Sequence, residues 1–484
     1  MNDMLKTYLP RLLHVWLIFG LVALTSSVSF TSAPANQSNG AATPADNFTL
    51  FLPLVRLDGP PPTFGVQLNT IDEANGLSKA VEARTHWVRG GGLPWSWVEP
   101  TRGARNWAAV ASQEQEYLNA AQSGLIPIVI VGNTPAWAQQ YPGVSCGPIK
   151  PGELAAFGAF MYDVVTRYSA APYHVKYWEI WNEPDVDPNL VAPNSPFGCW
   201  GDDADPYYGG GYYAEMLKIV YPQIKAADPQ AQVMLGGLLL DCDPTYPPAG
   251  QDCKPANFLE GVLRAGGGPY FDEVGFHGYP QYNGLLSDWE NTGFPTWVPR
   301  GGVVAGKANF LREVLSRYGV SKPLFHSEGS LICPEDTNPT LCANPDQNFW
   351  DAQAAYVPRL FLRNWAEGYL GTAWYTLTGP GWRHGGMLDA NQQPRPAYLA
   401  YSFMTSLLTG YRFQTSLYPV TDDRVGYRFT RGTAIVEVYW TKTGAAQTVA
   451  VSPTTIVYDT LGITLTVTST MPLGFSPTYV VTSP

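Results

Sequence analysis

The stretch YWEIWNEPD, residues 177–185, has the composition of a buried β-strand but ends in the polar sequence Asn-Glu-Pro. Aromatic residues and Ile are typical of strands packed in a core. Pro184 ends the strand because its ring nitrogen cannot donate to a sheet. Glu183 is costly to bury alone, so it lies at an opening or has a specific partner. The rest of the sequence decides between these alternatives.

Seven other apolar runs alternate with amphipathic segments. The runs are 64–70, 85–91, 125–133, 232–240, 271–279, 323–329 and 369–377. The amphipathic segments 153–168, 212–228 and 309–319 have the apolar spacing of helices. Runs that are hydrophobic throughout are typical of parallel strands covered on both faces. Eight strand–helix units close most naturally into a (β/α)₈ TIM barrel. The predicted class is therefore α/β, with the barrel spanning residues 63–405.

After residue 405 the helical patterns stop. Five short β-branched and aromatic runs follow, at 425–431, 433–440, 447–452, 456–460 and 463–468. They are separated by turn residues, as in antiparallel sheets. Residues 406–484 are therefore predicted to form a small C-terminal antiparallel β-sandwich domain.

The N-terminus has the pattern of a secretory signal. Lys6 and Arg11 precede an apolar run at 12–24, which is short for a membrane span, and small residues follow. We predict a signal peptide at 1–33, with an uncleaved anchor as the alternative. Residues 34–62 read as a flexible leader with a possible short strand. The mature chain is expected to be secreted or extracellular, possibly attached to the cell surface, without a membrane span.

Composition limits the partners of this protein. The net charge is −11 and the isoelectric point is near 5.0, so no basic surface is predicted to neutralise the phosphates of a nucleic acid. The chain has 16 Trp and 28 Tyr but only 14% charged residues, which suits contact with uncharged ligands.

Six cysteines in an exported chain favour disulfides. Fifteen pairings are possible. Proximity along the chain favours Cys242 with Cys253 and Cys333 with Cys342, which leaves Cys146 with Cys199. No cysteine or histidine spacing indicates a zinc site.

Polar and aromatic side chains occur at the ends of five predicted barrel strands. They are Arg89 on the second, Asn182 and Glu183 on the fourth, His277 and Tyr279 on the sixth, Glu328 on the seventh, and Trp374 and Tyr375 on the eighth. The chemistry of a barrel of this kind lies at the carboxyl ends of its strands. We therefore expect these side chains to meet at one rim.

Two carboxylates facing each other across a cleft are the equipment of glycoside hydrolysis. One acid protonates the departing oxygen, and the other attacks the anomeric carbon or activates water. We expect Glu183 to be the acid, and Arg89 and Tyr279 to stabilise the ionised Glu328. Asn182 is expected to bind the sugar 2-hydroxyl. This chemistry requires no metal or cofactor, and the sequence indicates none.

Other interpretations remain open for single residues. Glu335 is the rival of Glu328 as nucleophile, although a disulfide loop holds a side chain less rigidly than a strand does. His277 alternatively satisfies a backbone carbonyl, and Glu179 is expected to point into the barrel and pair with an Arg or His. Five tryptophans are either core residues or sugar-stacking platforms, and we favour Trp374 and Trp137 as platforms. The candidates are Trp95, Trp97, Trp137, Trp374 and Trp382.

These motifs resemble clan A glycoside hydrolases, which are retaining enzymes on a (β/α)₈ barrel. WNEP at 181–184, His-x-Tyr at 277–279 and Glu328 carry the resemblance. The segments 88–107, 132–138 and 385–401 are similar to glycoside hydrolase family 39 and its relatives. Over residues 63–484, the resemblance implies that Glu183 is the acid/base and Glu328 the nucleophile. His326 departs from the pattern, since family 39 has an aromatic residue before Ser-Glu.

The predicted activity is cleavage of O-glycosidic bonds in neutral oligosaccharides or polysaccharides by double displacement. Acidic sugars require Lys or Arg in the cleft, and the loops predicted after the third to seventh strands carry few. Those few are Lys150, Lys254 and Arg300. Two alternatives are a non-catalytic carbohydrate-binding protein of the cell surface and a transglycosylase that uses the same residues.

Overall fold

The computed structural model describes residues 64–284 and 288–482. The predicted signal peptide at 1–33 and the leader at 34–62 lie outside these residues. Within them, no helix combines the length and the apolar character needed to cross a membrane.

Eight parallel strands form a closed barrel, as the sequence predicts. They are β1 (Phe64–Gln67), β2 (Trp87–Pro94), β3 (Ile126–Gly132), β4 (Tyr177–Ile180), β5 (Gln232–Leu238), β6 (Glu273–His277), β7 (Leu324–Gly329) and β8 (Gly371–Trp374). Each strand pairs with the next in the chain, and β8 pairs with β1 to close the ring. Irregularities interrupt the register of β2, β5, β6 and β7 near their carboxyl ends.

Helices fill the connections between the strands. They are α1 (Leu77–Glu82), α2 (Trp95–Val98), α3 (Ala111–Gln122), α4 (Leu154–Tyr168), α5 (Gly210–Ala227), α6 (Phe258–Arg264), α7 (Val303–Arg317), α8 (Pro339–Ala343), α9 (Gln347–Ala366) and α10 (Pro396–Leu408). In α4 the buried residues include Leu154, Phe157, Met161 and Val164, which recur at the spacing of one helical face.

An aromatic cluster fills the barrel below its carboxyl end. The ring of Trp87 packs edge-on against Tyr177, with centroids 4.7 Å apart, and against Phe325 at 5.3 Å. Successive strand residues point to opposite faces, so residues two positions further along β2 and β4 also point inward. These residues are Arg89 and Glu179, and the aromatic cluster forms the floor on which they lie.

The C-terminal part of the chain forms two antiparallel sheets. The larger one contains β9 (Arg412–Ser416), β10 (Arg424–Arg431), β11 (Ala434–Thr441), β13 (Ile456–Tyr458), β14 (Thr464–Leu465) and β16 (Thr478–Thr482); the smaller contains β12 (Gln447–Ala450) and β15 (Thr470–Leu473). Apolar residues from both sheets pack between them, which makes this part a β-sandwich.

Side chains of α9 and α10 join the sandwich to the barrel. The guanidinium of Arg359 lies 4.1 Å from the centre of the Phe475 ring, a cation–π contact. The rings of Trp365 and Phe429 are 4.8 Å apart, and those of Phe403 and Tyr479 are 5.2 Å apart. The sandwich therefore covers apolar surface that the helices would otherwise expose.

Three disulfides staple the chain. They join Cys146 to Cys199, Cys242 to Cys253 and Cys333 to Cys342, which is the pairing that proximity along the sequence favours. Each bond ties a loop that follows a barrel strand, so all three stabilise the rim at which the strands end.

Candidate active site

Arg89 lies at the centre of a buried polar network inside the barrel. Its Nε and Nη2 donate to the two oxygens of Glu179, at 2.6 and 3.1 Å. Nη1 donates to Gln67 Oε1 at 2.7 Å and to Glu328, and Nη2 also donates to Asn182 Oδ1 at 2.8 Å. Burial alone would lower the pKa of Arg89, but the two carboxylates raise it above its ordinary value. Arg89 is therefore a permanent buried cation that orients four residues, which lie on or just after the strands β1, β4 and β7.

The Glu328 carboxylate is held on both oxygens. Arg89 binds Oε1, and the Tyr279 hydroxyl donates to Oε2 over 2.5 Å. Burial alone would raise the pKa of Glu328, but His277, Arg89 and the Tyr279 hydrogen bond together hold it below the ordinary value. Glu328 is thus kept ionised, as a nucleophile requires.

Glu183 has a different environment. Its Oε1 lies 2.8 Å from His277 Nδ1, and the same nitrogen is 3.6 Å from Glu328 Oε2. The side chain of Glu183 is more exposed than that of Glu328, and no Arg or Lys forms an ion pair with it among the described residues. Both carboxylates therefore lie near His277, but only Glu328 also binds a fixed cation.

The backbone turns sharply at the end of β4. Trp181 and Glu183 both have left-handed φ values, of 65° and 48°. Such conformations cost roughly 1–3 kcal/mol each in a non-glycine residue and occur at functional sites. Glu183 N donates to Gly237 O at 2.9 Å, which secures the turn against β5. A side chain at Gly237 would meet His277 Nε2 at 2.1 Å, so this glycine provides the space for the imidazole.

The two carboxylates are close together. One oxygen of Glu183 and one of Glu328 lie within 4.8 Å of each other. This separation is near that of retaining glycosidases, about 5–5.5 Å, and well below the roughly 6.5–9.5 Å of inverting enzymes. With His277 the two groups also offer three potential metal-ligating atoms. Arg89 already places a positive charge on Glu328, which disfavours a second cation there.

Aromatic residues wall the site on one side. The Tyr279 ring lies edge-on to Trp382, with centroids 4.8 Å apart, and to Tyr375 at 6.1 Å. Burial, followed by the nearby Glu328 charge, raises the pKa of Tyr375. Tyr375 and Trp382 are only partly buried, so they can present ring surface to a ligand.

The structure corrects the expectation for Trp374. Its side chain is fully buried, its Nε1 donates to Gly385 O at 2.6 Å, and its ring packs near Tyr356 of α9. It points to the helix layer and offers no face to a sugar. Trp137 is half-buried, contacts Trp95 edge-on and donates to Glu99 O at 2.9 Å. No hydrogen bond or ring contact of Trp137 reaches the carboxylates within the described residues.

Two other sequence candidates lie away from the carboxylates. Glu335 is in the disulfide loop, with its carboxylate 4.0 Å from Arg383 Nε. His326 points towards α9, where its Nδ1 is 3.3 Å from the Asn364 amide nitrogen. Burial lowers the pKa of His326 to about 3, so it stays neutral. The side chain of His326, where the sequence departs from the family 39 pattern, therefore lies on the helix-facing side of β7 and outside the site.

Gln67 is a site residue that sequence reasoning missed. Its side chain accepts from Arg89, and its backbone oxygen accepts from Thr376 Oγ1 at 2.8 Å and Leu377 N at 2.9 Å. The available signal was a polar residue in the middle of the predicted apolar run 64–70.

Comparison of folds identifies glycoside hydrolases as similar structures. A family 39 glycoside hydrolase from Bacteroides cellulosilyticus is 20% identical, with a TM-score of 0.62, over 87% of this chain and 80% of that chain. A family 39 β-xylosidase from Caulobacter crescentus is 16% identical, with a TM-score of 0.56, over 89% and 98% of the respective chains. A family 30 endoxylanase from Clostridium papyrosolvens is 14% identical, with a TM-score of 0.55, over 87% and 95%.

Comparison of sequences alone does not detect this similarity. No protein-family model matches the chain, and no curated protein matches it in sequence. At such low identity the structural similarity establishes the shared fold of barrel and β-sandwich.

Proposed function

We propose that this protein is a retaining glycoside hydrolase that acts by double displacement. The observation that carries the proposal is the close pair of carboxylates in unlike environments, one held by Arg89 and Tyr279 and the other by His277. The similar folds of family 39 and family 30 enzymes support it.

In the first step Glu328 attacks the anomeric carbon of the bound sugar. The bond from that carbon to the leaving oxygen breaks, and Glu183 gives its proton to this oxygen. A covalent glycosyl ester on Glu328 results. Asn182 lies beside Glu183, with its Oδ1 fixed by Arg89, so its amide NH₂ remains available to donate to the sugar 2-hydroxyl.

In the second step a water molecule attacks the anomeric carbon. Glu183, now ionised, takes a proton from the water, and Glu328 departs as a carboxylate. His277 Nδ1 lies next to both carboxylates. An imidazole nitrogen either donates or accepts a hydrogen bond, so the contact with Glu183 can persist whether Glu183 is protonated or ionised. The configuration at the anomeric carbon is inverted twice and hence retained.

We infer that the substrate is a neutral oligosaccharide or polysaccharide. The basic residues of the loops after β3 to β7 are already engaged. Arg300 pairs with Asp243 and Glu313, Lys254 pairs with Asp203, and Lys150 donates to the Trp137 carbonyl. Arg89 is shared between two carboxylates. The described residues of these loops therefore offer an acidic sugar little positive charge.

We expect the protein to act outside the cytoplasm. Three disulfides are typical of exported proteins. The signal-like N-terminus predicted from the sequence points the same way.

The test is turnover of a panel of nitrophenyl glycosides and plant-polysaccharide digests by the wild type, Glu328→Gln and Glu183→Gln. We expect one neutral sugar to be hydrolysed with retention, and each variant to lose several orders of magnitude in rate. Binding of sugars without turnover in the wild type would favour a non-catalytic carbohydrate-binding protein. Transfer of the glycosyl group to a second sugar, in place of release of the free sugar at the same substrate concentration, would favour a transglycosylase.

A further inference from the structure

Glu179 is a buried carboxylate that the reaction scheme leaves without a role. Its side chain is fully buried, and both oxygens bind the Arg89 guanidinium. Glu179 Oε1 also accepts from Gly237 N at 2.7 Å. Gly237 in turn accepts the backbone N–H of Glu183. Glu179 therefore contacts the cation that holds the nucleophile and the glycine that holds the acid/base.

The charge around Arg89 changes during the proposed reaction. In the free enzyme Arg89 lies between two anions, Glu179 and Glu328. When Glu328 forms the glycosyl ester, its negative charge is lost. Arg89 remains charged, because an Arg side chain does not give up its proton in a protein. A buried charge without a partner is strongly destabilising.

We propose that Glu179 is a positioning residue that acts as the permanent counter-ion of Arg89 and thereby balances the ionised and esterified states of Glu328. This inference rests on the proposed function. With Glu179 present, Arg89 stays paired in the covalent intermediate, so esterification of Glu328 does not strand a buried cation. Without it, Arg89 would hold Glu328 alone and favour the free carboxylate over the ester.

The proposal predicts opposite effects on the two chemical steps. Glu179→Gln should slow formation of the ester, since the nucleophile is bound more tightly by an unshared cation. It should speed breakdown of the ester, since the departing carboxylate gains that same partner. Loss of packing or of geometry would slow both steps.

The experiment uses a 2-deoxy-2-fluoro aryl glycoside of the sugar that the wild type hydrolyses. The rate of inactivation measures ester formation, and the rate of recovery after removal of the reagent measures ester breakdown. In Glu179→Gln we expect inactivation to be about tenfold slower or more and recovery to be about tenfold faster or more, so that the ratio of the two rates changes by at least about a hundredfold.

Two further variants serve as controls. Glu273→Gln alters another buried carboxyl group of the barrel, whose oxygens have no hydrogen-bond partner among the described residues; it should leave the ratio of the two rates unchanged. Glu179→Asp keeps the charge but shortens the side chain. It should slow formation while largely restoring the wild-type ratio.

The outcomes separate this proposal from the proposed function. If the wild type forms no ester on Glu328, as judged by mass spectrometry of the labelled peptide, the proposed function fails. If the ester forms and Glu179→Gln slows formation and breakdown alike, Glu179 is only structural and the counter-ion proposal is overturned.

Discussion

The Tyr279 hydroxyl donates a 2.5 Å hydrogen bond to Glu328 Oε2, while Arg89 binds the other oxygen of the same carboxylate. The two donors hold the carboxylate from different sides and stabilise its ionised form. Tyr279 stays protonated throughout, because burial and the nearby Glu328 charge raise its pKa well above the ordinary value. Glu328, the proposed nucleophile, is therefore ionised at pH values where an ordinary carboxyl is partly protonated.

Tyr279→Phe removes this hydrogen bond and should raise the pKa of Glu328. The enzyme needs Glu328 ionised, so the acidic limb of the kcat/KM profile should move to higher pH. We also expect a loss of about 10- to 100-fold in kcat/KM at the optimum, roughly the effect of losing one charge-assisted hydrogen bond of 1.5–3 kcal/mol. The measurement is a pH profile on a nitrophenyl glycoside.

Tyr213→Phe is the matched control for this experiment. Tyr213 is also buried, but its hydroxyl donates to Ile180 O in the barrel wall. Its removal should lower the free energy of unfolding and leave the acidic limb in place. An unshifted limb in Tyr279→Phe would contradict the assigned role of Tyr279.

Glu183→Ala should respond to added azide. On an activated aryl glycoside the first step needs no acid, so the ester accumulates and waits for a base to activate water. Azide requires no base and should restore turnover, with the glycosyl azide of retained configuration as product. Glu328→Ala under the same conditions should give either no rescue or an azide of inverted configuration. A retained product from Glu328→Ala would reverse the roles of the two acids.

Alanine variants of Trp374 and Trp382 should affect different quantities, the first the free energy of unfolding and the second the KM. Trp374→Ala empties a fully buried site and should cost about 3–5 kcal/mol in the free energy of unfolding. Trp382→Ala removes a half-buried ring beside Tyr279 and should mainly raise KM, with a small effect on stability. Urea unfolding and steady-state kinetics of both variants provide the comparison. A large KM effect in a stably folded Trp374→Ala would overturn this division.

The three disulfides should differ in their contribution to stability. Cys146 and Cys199 are 53 residues apart, whereas Cys242 and Cys253 are 11 apart. Loop-closure entropy predicts that removing the first costs about 4 kcal/mol and removing the second about 3 kcal/mol. Paired Cys→Ser variants, compared by urea unfolding, test this order. Equal losses would indicate that strain or residual structure in the unfolded chain outweighs loop length.

Much of the barrel was predictable because its strands are buried on both faces. The predicted run 232–240 contains β5, and 323–329 contains β7. The predicted helix at 153–168 corresponds to α4. In the sandwich, β9, β15 and β16 were not predicted. β9 is largely exposed and lacks an apolar pattern, and β15 contains Pro472, which argues against a strand. β16 was missed although its residues are β-branched and aromatic.

The direction of side chains near the rim was harder to predict. Trp374 and Tyr375 are adjacent, so they point to opposite faces, and only one can line the site. Counting alternate residues requires an unbroken register, but the register shifts within β6 and β7 just before the site. Long-range contacts such as the one between Arg89 of β2 and Glu328 of β7 depend on barrel closure, which no local pattern reports.

The contacts of α9 and α10 with the sandwich bear on how the enzyme can be divided. A chain that stopped after Leu408 would remove the rings of Phe475, Phe429 and Tyr479 from Arg359, Trp365 and Phe403. Exposed aromatic surface of this kind promotes aggregation. The barrel and the sandwich should therefore be expressed, or fused to other domains, as one unit. Fusing the barrel alone to another protein would require redesign of the α9 and α10 surface that the sandwich covers.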